Sequence, residues 1–131
     1  MTDAKAAAQW RSPSDLWLDH VSLRSDDIEW LAPARTLTLW SVKTPNGLLA
    51  SRPDLVFLDI RGRSGTSLSA ADGCTSLRYL QVNQVRGMAH LSVVPTLTSL
   101  EMLSLYGLPK ITGLPSFTPL RRLQRAEIGS M

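Results

Sequence analysis

With 131 residues, 44% of them hydrophobic, the chain holds enough apolar material for one core, which excludes disorder as its default state. The formal charge of +3 is uneven: residues 1–59 carry six basic and eight acidic groups, residues 60–131 eight basic and three acidic. The lone Cys74 excludes an internal disulfide, no run approaches the roughly 18–20 apolar residues of a membrane span, and an apolar leader and an Asn-x-Ser/Thr acceptor are both absent, so a cytoplasmic protein without membrane contact is expected.

Residues 2–10 read as a short helical cap. Thr2 or Asp3 can accept from the first free backbone N–H groups, and Ala4-Lys-Ala-Ala-Ala-Gln9 favours helix. Trp10 supplies apolar area to cover the first coil behind it, and residues 11–14 read as a loop. These residues, 1–14, form the expected N-terminal cap; residues 15–131 form one repetitive domain.

The repeat is clearest between residues 77 and 123. Leu77, Leu80, Val82, Val85, Met88, Leu91 and Leu97 recur 23 positions on as Leu100, Leu103, Leu105, Leu108, Ile111, Leu114 and Leu120. Self-similarity at such a period marks a solenoid. Projected backwards, an apolar-x-apolar pair recurs as Leu16-Trp-Leu18, Leu37-Thr-Leu39, Leu58-Asp-Ile60, Leu80-Gln-Val82, Leu103-Ser-Leu105 and Ala126-Glu-Ile128, at spacings of 21, 21, 22, 23 and 23. The alternation within each pair is that of a strand with one buried face. About six such strands, one per coil, predict a parallel sheet with neighbours about 4.8 Å apart. The returns are too short for long crossover helices, and they hold Pro45, Pro53, Pro95, Pro109, Pro115 and Pro119. Two are expected to be briefly helical, capped by Asp26 with Glu29 and by Ser69; the others are expected as 3₁₀ or extended chain.

The frame L-x-x-L-x-L, carried by Leu55-x-x-Leu58-x-Ile60, Leu77-x-x-Leu80-x-Val82 and Leu100-x-x-Leu103-x-Leu105, resembles the leucine-rich repeat family. The resemblance covers nearly all of residues 13–131. It implies a curved α/β solenoid with a concave parallel sheet, and a module that binds other proteins. One departure concerns the position three residues past each pair, where the family usually has Asn, Cys or Thr. Here Val21, Val42, Arg63, Val85, Leu108 and Met131 stand there, so an apolar row must pack in place of a polar ladder. Arg63, between Gly62 and Gly65, marks the third turn as irregular or partly exposed.

If the leucines point inward, the intervening residues face the open side of the sheet. Trp17, Trp40, Phe57, Tyr79, Met102 and Tyr106 fall there, with Asp59, Arg61, Gln81 and Asn83. Interface cores are rich in aromatics, Met and Arg, so these ten residues are the expected protein-binding face. The plainer alternative is that the aromatics merely pack across strands.

The catalytic inventory is thin, and no enzyme, cofactor or metal site is expected. His20 and His90 fall about three coils apart, Cys74 has no expected histidine neighbour, and no metal-ligand spacing occurs. Arg61-Gly-Arg-Ser-Gly-Thr66 lacks the Gly-Lys-Ser/Thr ending and long helix of a phosphate loop. The basic second half raises an alternative, a phosphate or nucleic-acid binder. Its arginines are scattered over outward rows and returns, which fits an acidic protein partner better than a nucleic acid. The last repeat, ending in Ile128-Gly-Ser-Met131, leads to the further expectation of a homodimer through an uncapped end, a folded-back tail, or continuation in a longer solenoid.

Overall fold

The computed structural model describes residues 3–51 and 54–129; Thr2, Pro53 and Met131, which entered the sequence reading, lie outside them. The fold is a single seven-stranded sheet whose strands lie side by side in chain order. Strands β2 (Asp15–Asp19), β3 (Thr36–Trp40), β4 (Phe57–Arg61), β5 (Tyr79–Asn83), β6 (Met102–Tyr106) and β7 (Arg125–Gly129) are mutually parallel. Their register follows the sequence repeat residue for residue. Leu16, Leu37, Leu58, Leu80, Leu103 and Ala126 form one row, and Leu18, Leu39, Ile60, Val82, Leu105 and Ile128 another. A one-residue slip would turn every leucine to the wrong face, so the apolar alternation itself holds the register.

Hydrogen bonds link coil to coil at both ends of the strands. At the entrances, the carbonyls of Ser14, Arg35, Val56, Arg78 and Glu101 each accept from two successive N–H groups of the next coil. At the exits, the residues that follow the strands are left-handed: His20, Ser41, Gly62, Gln84 and Gly107 have φ between 53° and 68°. His20, Ser41, Gln84 and Gly107 donate their N–H to the last residue of the next strand over. This turn does locally what a polar ladder would otherwise do. It also swings Val21, Val42, Val85 and Leu108 into the core, where all four are buried.

The third coil departs from this, as its sequence suggests. Arg63 is exposed and Ser64 turns inward instead, where its Oγ accepts from Val42 N (3.1 Å) and donates to Arg61 O (2.7 Å). The core is continuous, running from Ala4 through the paired leucines to Leu120, with Leu31, Leu49, Leu68, Met88 and Val94 entering from the returns.

Those returns are short. A 3₁₀ turn, Ser25–Asp27, leads into helix α2 (Ile28–Leu31); Leu48–Ser51, Ser69–Ala71 and Val94–Thr96 are 3₁₀ helices. Both expected caps need correction. Asp27, not Asp26 with Glu29, ties the first return: Oδ2 accepts from Arg24 N (2.7 Å) and Oδ1 from Trp30 Nε1 (2.8 Å). It lies three residues beyond Arg24, the distance from which a carboxylate reaches back over one turn. Ser69 sits within its turn and donates to Asn46 Oδ1 (2.7 Å), a tie to the neighbouring coil in place of a cap.

The N-terminal end holds a strand that replaces the end of the expected helical cap, at Gln9 and Trp10, and the start of the expected loop. Helix α1 (Ala4–Ala7) is capped by Asp3, whose Oδ1 accepts from Lys5 N (3.1 Å). Strand β1 (Gln9–Ser12) then turns at Pro13-Ser14 and runs antiparallel to β2. An unpaired β2 edge would leave backbone donors and acceptors without partners, and the hairpin satisfies them. Trp10 pairs with Leu16 and stays 39% exposed. Closure of this end is therefore shared with Ala4, which is buried, and with Ala7 and Ala8 packed beside it.

Candidate functional site

The face of the sheet opposite the leucines carries all ten residues singled out from sequence. Strand β2 supplies Trp17; β3, Trp40; β4, Phe57, Asp59 and Arg61; β5, Tyr79, Gln81 and Asn83; β6, Met102 and Tyr106. The structure brings several of them into contact. Trp17 and Trp40 stack at a tilt with centroids 6.4 Å apart, and Phe57 and Tyr79 do so at 6.3 Å. Cross-strand packing is therefore present. It does not use up the face, because Trp40 and Tyr106 remain 39% and 45% exposed.

Guanidinium groups accompany the rings. Arg61 lies 5.7 Å from the Trp40 centroid and Arg78 5.8 Å from that of Tyr79. Arg11, on β1, lies 3.7 Å over Trp17. Arg11 could not be assigned to this face from sequence, because its strand carries no apolar alternation. Gly62, just beyond β4, is required by the same arrangement. Its φ is +68°, and a Cβ there would fall 2.5 Å from Ser41 Oγ and 3.0 Å from Trp40 Cδ1, so any side chain would push the Trp40 ring away.

The centre of the face is not simply open. Thr38 and Asp59, adjacent in the middle row between Trp17 and Gln81, are buried. Asp59 Oδ2 accepts from Arg61 Nε (2.9 Å). Its Oδ1 is shielded and has no hydrogen-bond partner among the described residues. Burial pushes the Asp59 carboxyl above the ordinary value of 3.8, and the hydrogen bond and charge of Arg61 pull against that shift. Asp59 lines a shallow depression of about 300 Å³ with Asp15, Trp17, Thr36, Thr38 and Phe57. Asp15 is held there by Thr36, whose Oγ1 donates to Asp15 Oδ1 (2.9 Å).

Groups outside the face offer little chemistry. His20 and His90 are exposed, and His20 is paired with the neighbouring Asp19. Cys74 is buried, and burial raises its thiol, with the Ser76 hydrogen bond acting the other way; a protonated, shielded thiol is a poor nucleophile. Among the described residues no three His, Cys, Asp or Glu side chains are grouped to hold a metal ion, and no helix is long and apolar enough to cross a membrane. In the basic half, Arg78 pairs with Glu101 and Arg125 with Glu127. Comparison of the chain with protein-family models, with curated proteins and with solved structures finds no match.

Proposed function

We propose that this chain is a leucine-rich-repeat solenoid, residues 15–131 behind a cap of residues 1–14, that acts in the cytoplasm as a non-catalytic protein-binding module. Its concave face, centred on Trp40, Asp59, Arg61, Tyr79 and Tyr106, takes up a protein partner, as an immunity (toxin-neutralising) or recognition protein would. A single observation carries the reading: Trp40 and Tyr106 stay well exposed on a face whose remaining aromatics are half-buried. A sheet that only needed to face water would place Thr, Ser or Lys there, and Trp and Tyr are enriched in interface cores. Trp and Tyr at interface centres contribute about 2 kcal/mol or more each.

Alanine at Trp40 and at Tyr106 is expected to abolish co-purification of the natural partner from a native lysate while leaving the thermal melt nearly unchanged. Retention of the partner by both variants, or a collapse of the melt, would return these rings to a packing role. A phosphate or nucleic-acid binder is the second reading. Against it stands the pairing of Arg61, Arg78 and Arg125 with carboxylates, which removes three cations from a phosphate-binding set. Steep salt dependence of binding to generic RNA would favour this second reading.

A further inference from the structure

We propose that the depression at the β2–β4 end of this face receives an arginine side chain of the protein partner, with Asp59 as its anchor. The proposal rests on the protein-binding reading above and names the chemistry that the partner must present. It stands on three observations. First, Asp59 is buried on a face otherwise half-open, its side chain 6% exposed, and one of its carboxylate oxygens has no donor among the described residues. A buried oxygen without a partner is costly and calls for an explanation. Arg61 reaches only Oδ2, so the pair inside the chain is incomplete.

Second, the lining combines anions with aromatic walls. Asp15 and Asp59 sit with Trp17 and Phe57, and the lining contains no cation. Carboxylates beside aromatic rings select a cation, and a planar guanidinium can bond the carboxylate while stacking on a ring. Third, the chain already places guanidinium groups on rings of this face, Arg11 over Trp17 and Arg61 over Trp40. An ammonium, as a compact point charge, would use the carboxylates but not the stacking geometry, which is why the assignment is arginine and not lysine. The charge also has the right sign: Asp15, Asp19 and Asp59 lie on the outward rows of β2–β4 against Arg61 and the Arg11 of β1 that covers Trp17, three carboxylates to two guanidinium groups.

The test uses the full chain, isotope-labelled, titrated by NMR with the peptide acetyl-Gly-Arg-Gly-amide and its citrulline counterpart, which keeps the shape and loses the charge. Saturable shifts at the Trp17 indole N–H and the Asp59 carboxyl carbon are expected with arginine only, and Asp59→Asn is expected to weaken them at least tenfold. In the unsubstituted chain the Asp59 titration midpoint should fall when arginine peptide is present, because a bound cation favours the charged carboxylate. Equal response to citrulline, shifts mapping outside β2–β4, or an unmoved midpoint at saturation would overturn the proposal. Loss of the natural partner from the Trp40→Ala and Tyr106→Ala chains with no arginine response would overturn this proposal alone. An arginine response with the partner retained by both variants would instead overturn the wider reading.

Discussion

At the scale of single residues, Asp59 is where fold and function pull apart. A carboxylate in a strand that could have carried Thr or Val loses hydration, and Arg61 returns only part of the loss. Removing one member of an ion pair is costly where the other stays buried and unpaired, but the Arg61 side chain is 32% exposed and can turn to water. Asp59→Asn is therefore expected to melt no lower than the original chain at neutral pH. The pH dependence has a definite sign. Because burial raises the folded pKa above 3.8, the folded chain binds more protons than the unfolded one between those two values. The Asp59 contribution to stability is thus fully present below the unfolded pKa and is lost as pH rises through the folded one. Subtracting the variant's stability from that of the original chain, over urea melts from acid to neutral pH, isolates this term from Glu101, whose carboxyl Arg78 holds low. A difference that grows with pH would show that Arg61 outweighs burial.

At the scale of the element, each coil needs a way to leave its strand, and two solutions coexist. Four exits use a left-handed residue followed by Val21, Val42, Val85 or Leu108 turned into the core. The exit from β4 has Gly62, an exposed Arg63, and Ser64 bonding Val42 N and Arg61 O. Ser64→Ala is expected to cost about 1–3 kcal/mol in a urea melt, since it strands the Val42 N–H beside a buried side chain; a loss below about 0.5 kcal/mol would mean that the turn relaxes to satisfy it by another route. This contrast also explains what could be read in advance. Leu58 and Ile60 announce β4 because strands stacked in register repeat their inward residues at near-constant spacing. The open-face positions follow by alternation. Strand β1 could not be read, since Gln9–Ser12 pairs as a one-off hairpin and shares no frame with the coils. Nor could the isolation of Asp59 Oδ1, which depends on side-chain packing and not on spacing. The first return is tied at Arg24 and Asp27, two residues before the expected Asp26 and Glu29, because a carboxylate stands three residues on in both pairs.

At the scale of the molecule, the two ends of the sheet differ. At the β1 end an antiparallel hairpin and α1 close the core. At the other end Ile128 and Leu114 are 42% and 44% exposed, whereas their counterparts one coil earlier, Leu105 and Leu91, are buried. Strand β7 pairs only with β6 among the described residues, and such an edge is a template for another strand. A second copy of the chain is the occupant we propose, extending the binding-module reading to a homodimer. Twofold symmetry requires the two β7 strands to meet antiparallel, and charge then selects the register. Centring the pair on Ala126 sets Arg125 of each copy opposite Glu127 of the other. Centring it on Glu127 would oppose two like charges, which destabilises a strand pair. Glu127→Lys should therefore yield a monomer by light scattering at concentrations where the original chain dimerises, and its melting temperature should lose the concentration dependence that a dimer confers; both residues are exposed, so the folded monomer itself is little disturbed. Exchanging both charges, Arg125→Glu with Glu127→Lys, should restore the dimer. A monomeric original chain, or a double exchange that stays monomeric, would remove β7 as the seam.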